Sequence, residues 1–275
     1  MLIIGLNSTS ANIILNMLPR ETLLKGVENR TEITRIVDQA EIAVKTWEVV
    51  VSDFFSPPVI AEVENGFSRL TDIEIVVWGG YPQAERRRIG IARPEIPLEQ
   101  PQIPLAALDI AGNFLFDPAS HRDFLGAILA TGIVREKIGD IIVLGERGGQ
   151  VIVVPELVEF LETSLTQVRS VPVKTQQIEL SELKIRPPKT KEMTTVEASM
   201  RLDAIASAGF GMSRSKMSDA IHKGDVRVNW KETTQSSYNV KSGDLIAVRG
   251  KGRLEVGDVA ITKKQRYRIQ LTRFQ

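Results

Sequence analysis

The 275 residues predict an α+β protein made of an N-terminal helical segment, a middle α/β domain and a C-terminal module of two short helices followed by a small sheet. Three observations lead there. Residues 31–165 alternate between apolar residues at helical spacing and short β-branched runs. Residues 172–198 lose that periodicity and gather Pro172, Pro187, Pro188, Lys189 and Lys191, as an interdomain linker does. The charge changes sign at the same place: residues 1–180 hold 16 Lys and Arg against 24 Asp and Glu, whereas residues 181–275 hold 19 against 10. A basic third joined to an acidic remainder points to a polyanionic partner for the C-terminal part alone. With 43% apolar and 25% charged residues, the chain has the balance of an ordinary globular protein of two or three domains. It has no Cys and two His, His121 and His222, which excludes disulfides, cysteine catalysis and thiolate or His-rich metal centres.

The first 18 residues are partly apolar, but Asn7, Ser8, Thr9, Ser10, Asn12 and Asn16 interrupt them and no basic residue precedes Arg20. Neither a membrane-spanning helix nor a signal peptide is expected. The segment is predicted to be a frayed extension with Met17 as an alternative start, and the protein to be cytoplasmic without membrane insertion. Ile33, Ile36, Val37, Ala40, Val44 and Trp47 recur at helical steps and predict a helix over 31–50. After Pro57-Pro58 a short helix spans 59–67, closing an N-terminal region of residues 1–70. The middle domain, 71–180, is expected to hold strands at 73–78, 88–93, 103–111, 141–144 and 151–154. It adds a helix opened by Ser120 and Asp123 and another led by Pro155. A linker over 181–196 precedes the basic domain, 197–275.

In that domain Leu202, Ile205 and Ala206 mark a helix that Gly209 or Gly211 can end, and Ser213 suits the N-cap of a second helix ending before Gly224. Ser213-Arg214-Ser215-Lys216 brings unpaired backbone N–H groups, hydroxyls and two cations to one point, an arrangement suited to phosphate. A strand over 225–231 would turn Val226, Val228 and Trp230 inward and Arg227, Asn229 and Lys231 outward. Gly250-Lys251-Gly252-Arg253 makes a basic turn, and the last strand sets Tyr267, Ile269 and Leu271 against Arg266, Arg268 and Gln270. Two helices followed by strands with cationic outer faces suit nucleic acid.

Arg201-Leu202-Asp203, Ser213-Arg214-Ser215-Lys216, Gly224-Asp225-Val226, Val228-Asn229 and Gly243-Asp244 resemble the RNA-binding domain named after ribosomal small-subunit protein four, over about residues 197–255. The resemblance implies RNA contacts at Arg201, Ser213, Arg214, Lys216, Lys223, Asn229 and Lys231. The residues themselves add Ser215, Arg227 and Lys251. Upstream, Gly79-Gly80-Tyr81-Pro82, Glu85-Arg86-Arg87-Arg88, Ser120-His121-Arg122-Asp123 and Arg135-Glu136-Lys137-Ile138-Gly139-Asp140 resemble the YlmH family of bacterial and plastid RNA-binding proteins. The likeness runs from about Met17 to the end. It implies a middle domain of RNA-recognition type and structured RNA, ribosomal or transfer RNA, as the partner on the large ribosomal subunit. The role would lie in quality control or assembly. Photosynthetic versions carry a photosystem II label, which leaves an assembly or interaction factor for that complex as one alternative; an RNA-modifying enzyme is another.

Arg86, Arg87, Arg88, His121 and Arg122 form a possible second RNA surface. His121-Arg122-Asp123 imitates a kinase catalytic loop, but Ile128 stands where a metal-binding Asn is needed. Arg201-Leu202-Asp203 resembles the catalytic motif of pseudouridine synthases, yet the residues after it misalign and too few remain for a catalytic domain; Asp203 is expected to be a structural helix residue. No nucleophile–base set, cofactor loop or metal site is legible, so no catalytic residue and no cofactor are assigned.

Overall fold

The structure, a computed structural model, describes residues 18–274; the expectations for residues 1–16 and for Met17 as a start lie outside the described residues. The chain divides after Ile185 into two compact units.

The first unit opens with α1 (Arg20–Leu23), α2 (Arg30–Thr46), β1 (Val50–Val51), α3 (Pro57–Phe67), β2 (Glu74–Trp78) and β3 (Arg88–Ala92). The three strands form an antiparallel sheet in the order β1-β3-β2. The apolar stripe of α2 packs with Val59, Ile60, Val63 and Phe67 of α3 and with Ile89 and Ile91 of β3. Strands β2 and β3 therefore pack with the first helices and not with the middle domain, where sequence position had put them. Pro57 and Pro58 occupy the first two positions of α3, where a missing N–H removes no helical bond. Helix α2 stops at Thr46. Trp47 adopts a left-handed conformation (φ 59°) and lies 55% exposed beneath the Arg93 guanidinium, 4.0 Å from its ring centre, so it does not continue the inner stripe.

The second half of this unit runs β4 (Ala106–Ala111), α4 (His121–Ala130), β5 (Ile138–Val143), β6 (Gly148–Val153), α5 (Val158–Ser164), the two-residue pair β7 (Gln167–Val168) and β8 (Val171–Pro172), and β9 (Lys174–Ile178). The sheet order is β5-β6-β4-β9, all antiparallel. This is a βαββαβ fold with its first and third strands central, the RNA-recognition type that the family resemblance implies. Leu108, Ile110, Val151 and Val153 face Phe124, Ile128 and Leu161 on the helical side. The opposite face is partly covered. Phe54, from the segment between β1 and α3, is 1% exposed and packs with Ile152 and Val154. Gly139 leaves room for it: a Cβ there would lie 2.8 Å from the Phe54 ring. Neither central strand carries an aromatic residue; Asp109 and Gln150 pair across them at 3.2 Å.

The second unit contains β10 (Thr190–Glu197), α6 (Leu202–Phe210), α7 (Arg214–His222), β11 (Val226–Val228), β12 (Lys231–Glu232), β13 (Leu245–Val248), β14 (Gly252–Ile261) and β15 (Tyr267–Phe274). Its antiparallel sheet runs β10-β15-β14-β13-β11-β12, and α6 and α7 bury their apolar faces on one side. Here the linker expectation fails. Strand β10 pairs residue for residue with β15, from Thr190↔Phe274 to Glu197↔Tyr267. Thr-Lys-Glu-Met-Thr-Thr-Val-Glu shows almost no apolar pattern because it is an edge strand, and its partner residues lie 70 to 84 positions away in sequence. The strand expected over 225–231 is also broken. Asn229 and Trp230 both have positive φ (49° and 69°) and form a two-residue hairpin turn, so Trp230 is half-buried at the turn and not in the core.

Candidate RNA-binding surface

Helix α6 begins with Leu202, Ala204, Ile205 and Ala206 in the core and, among them, the buried carboxylate of Asp203. Gly211 ends the helix in a left-handed conformation (φ 65°), and Ser213 caps α7 by accepting the Lys216 N–H at 3.3 Å. The tight connection brings the start of α7 beside the first turn of α6. Arg214 donates Nε and Nη2 to the two Asp203 oxygens, both at 3.1 Å. Arg201 makes the same fork from the other side, also at 3.1 Å for each bond. One carboxylate thus holds two guanidiniums.

The exposures show what this arrangement presents. The Asp203 side chain is 7% exposed, those of Arg201 and Arg214 41% and 55%. Burial pushes the Asp203 carboxyl upward, but the hydrogen bonds and charges of Arg201 and Arg214 outweigh it and hold it below the usual carboxylate range. The same contact raises the pKa of Arg201. Each guanidinium uses two of its five N–H donors on Asp203 and keeps three. Planar, fixed donors directed to solvent match phosphate oxygens, and the carboxylate between the two cations offsets their mutual repulsion. Ser215 and Lys216 are exposed on the adjoining first turn of α7.

A loop closes the back of this clamp. Ser236 and Tyr238 accept from the Asp203 and Leu202 N–H groups at 3.2 and 2.8 Å, and the Ser236 hydroxyl lies 3.0 Å from that of Ser218. Tyr238 is 38% exposed there, an aromatic that sequence reasoning missed, on the loop whose next residue, Asn239, pairs with Arg201. Its run, Thr233–Asn239, is polar and aperiodic; the only available signal was a lone aromatic inside it.

The other expected residues divide. Lys223 lies at the opposite end of α7, about 13 Å away at 1.5 Å per residue, and Arg227 and Lys231 are exposed on the hairpin that follows. Asn229 faces its own fold: its amide donates to Asp244 at 2.8 Å and accepts the Leu245 N–H at 2.9 Å, fastening β11 to β13. Lys251 is exposed in the β13–β14 turn. In the first unit, Arg88 is withdrawn from any RNA surface. It is 7% exposed and donates to the Ser52 and Pro104 carbonyls. Arg86 donates to the Phe54, Ile138 and Arg135 carbonyls at 2.9, 2.9 and 3.2 Å, and burial, with Arg135 nearby, lowers its pKa to about 10. Three consecutive arginines resemble a basic patch in sequence, but tertiary contacts turn the side chains of Arg86 and Arg88 inward. Arg87 is half-buried between them. His121 and Arg122 are exposed at the start of α4, where Asp123 accepts from the Ser120 N–H and hydroxyl at 2.8 and 2.7 Å, the capping pair that the spacing predicted. Among the described residues, no group of three or more His, Asp and Glu is placed to hold a metal ion, and no helix is long and apolar enough to cross a membrane.

Three family profiles match in succession: the N-terminal domain of YlmH over residues 28–96, the RNA-binding domain in YlmH over 99–182, and the S4 domain over 200–246. The ribosome-associated protein quality control protein P2 of Bacillus subtilis is 30% identical over 249 residues, spanning 90% of this chain and 95% of that protein. The chain belongs to the YlmH family. A shorter likeness, 36% over 56 residues, joins it to mitochondrial transcription rescue factor 1 of Mus musculus and covers 20% of this chain and 23% of that one. The fold is shared with the cell division protein ylmH of Streptococcus pneumoniae, with a TM-score of 0.51 at 18% identity over 58% of this chain and 96% of that one. As a family member the chain carries RNA-binding domains, and the Asp203 clamp lies within the S4 match.

Proposed function

We propose that this protein binds structured RNA, ribosomal or transfer RNA on the large ribosomal subunit, in the cytoplasm, and that it acts by docking and not by catalysis. The observation that carries the reading is the pair of guanidiniums held on Asp203 beside Ser215 and Lys216 (3.1 Å forks from Arg201 and Arg214). A rigid pair of forks at the junction of two helices recognises the spacing of phosphates on a folded RNA more than its sequence. Lys223, Arg227, Lys231 and Lys251 extend the positive surface of the second unit, and His121 and Arg122 remain candidates for a second contact. Ribosome association is supported by the likeness to the ribosome-associated protein quality control protein P2 of Bacillus subtilis.

The test is fluorescence anisotropy with large-subunit ribosomal RNA and with transfer RNA across a salt series, comparing the full chain with Arg214→Glu/Lys216→Glu. Binding that weakens linearly in log salt, with a slope that flattens by about 2 and an affinity at least tenfold lower in the variant, is the expected result. Equal binding by the variant would remove the helix pair from the interface, and no binding by the unaltered chain at low salt would end the RNA reading.

A further inference from the structure

The S4 match ends at residue 246, inside β13, yet the sheet continues through β14 and β15 and gains β10 on its far side. The hairpin joining β14 to β15 ends in Thr262-Lys263-Lys264-Gln265-Arg266. This tip is a built turn. The Thr262 N–H donates to the Arg266 carbonyl at 2.8 Å, the Arg266 N–H to the Thr262 hydroxyl at 3.1 Å, and the Gln265 N–H to the Thr262 carbonyl at 2.9 Å, with Gln265 left-handed at φ 56°. Such a three-residue loop fixes the directions of its side chains. Lys263, Lys264 and Arg266 are exposed, and Arg268 is exposed on the outer face of β15 between Val196 and Ala260. None of the four has an ion-pair partner among the described residues. Ile261, 73% exposed, and Val196, 44% exposed, flank them.

Chain connectivity limits how far this tip can be from the clamp. Glu197 pairs with Tyr267, Arg266 is its neighbour, and Arg201 follows Glu197 by four residues. Four extended residues span at most about 14 Å, and a strand spacing of about 5 Å and one further residue bring the total to roughly 20–25 Å. At about 3.4 Å per phosphate along one strand, that ceiling is about six or seven phosphates, so a single RNA can reach both.

The geometry points to the β14–β15 tip as a second phosphate-binding site, with Lys263, Lys264, Arg266 and Arg268 gripping the backbone of the same RNA that the Asp203 clamp holds. This rests on the RNA-binding reading above. Three unpaired cations on a fixed turn and a fourth, Arg268, on the strand that leaves it, within chain reach of the clamp, suit a contact to backbone charge without base selection. The two sites then fix the orientation of the RNA as well as its presence.

The experiment uses the full chain and the same two RNA probes. The variant Lys263→Glu/Lys264→Glu/Arg266→Glu is compared with Arg214→Glu/Lys216→Glu and with Lys25→Glu/Lys45→Glu/Arg69→Glu, which makes the same charge change in the first unit. The tip variant is expected to lose at least tenfold in affinity and 2 to 3 units of salt slope, with the first-unit variant close to the unaltered chain. A Gln version of the tip, with the same far-ultraviolet circular dichroism as the unaltered chain, should lose a smaller share in the same direction. An unchanged tip variant beside a weakened Arg214/Lys216 variant would overturn the second site and leave the RNA reading standing. Equal losses in the tip and first-unit variants would overturn it as well, because net charge alone would then account for them. Absence of binding by the unaltered chain would overturn both.

Discussion

Asp203 shows how much one side chain can decide. In sequence it is an acidic residue inside an otherwise apolar helix, and a structural role is all its position implies. In the fold it is nearly buried and receives four charged hydrogen bonds from Arg201 and Arg214. Asp203→Asn keeps the volume but leaves one acceptor oxygen, sets an NH2 donor against the guanidiniums in place of the other and removes the charge, so neither two-bond fork survives and each arginine keeps at most one bond. Charged hydrogen bonds contribute about 1.5–3 kcal/mol each when buried, but both guanidiniums are about half exposed and regain water. We therefore expect a loss of about 1–2 kcal/mol in urea unfolding and a severalfold loss of RNA affinity. The pH dependence has a definite sign. A carboxyl held below its unfolded value stabilises the fold above about pH 4, and the stabilisation is lost as pH falls through the lower folded value. Stability measured from pH 7 to pH 3 should therefore fall less in Asp203→Asn than in the unaltered chain. An equal fall in the two would show that other groups govern the acid limb.

The elements were legible where their own periodicity carried them. Helix α2, the capped start of α4, the Pro-led turn into α5 and both helices of the second unit follow from residues three or four apart. The misses share one cause. Strand β10 and the turn at Asn229-Trp230 are specified by partners across the sheet, and local patterning carries no trace of them. The contact between α6 and β14 is another such case. Gly209 sits in the interior of α6, where helix propensity alone favours Ala by up to about 1 kcal/mol. A Cβ there would lie 2.2 Å from Leu254 Cδ2, so packing opposes the gain. Gly209→Ala should destabilise the second unit by about 1–3 kcal/mol, and combining it with Leu254→Ala should recover part of the loss in a double-mutant cycle followed by thermal melting. A stabilising Gly209→Ala would show that the helix and sheet have room to part.

At the scale of the whole chain, the swing from acidic to basic divides two kinds of arginine. Those of the first unit at positions 86 and 88 satisfy backbone carbonyls and join the N-terminal helices and strands to the middle sheet, whereas those at 201 and 214 remain half exposed. Arg86→Met would leave the Phe54 carbonyl without its donor and take one of two donors from the Ile138 and Arg135 carbonyls, which keep the Arg135 guanidinium and the Ile138 N–H. It should lower the stability of the first unit by about 2–4 kcal/mol while RNA affinity stays within twofold of the unaltered chain. A large loss of affinity with little loss of stability would instead return Arg86 to the RNA surface. Neither composition nor motif spacing separates these roles, because an arginine on a carbonyl and an arginine in water occupy similar sequence contexts.

Family membership, the α+β class, the helix pair with its Ser213 cap and the clustering of cations after residue 180 could all be read from neighbours in the chain, since caps, helical faces and ordered motifs are short-range properties. Burial of Arg86 and Arg88, the pairing of β10 with β15, the covering of one face of the middle sheet by Phe54 and the joining of Arg201 to Arg214 through Asp203 depended on contacts between distant segments. Such contacts form when the chain closes on itself, and the cost of leaving a buried donor, acceptor or charge unpaired then selects which side chain turns in and which stays in water.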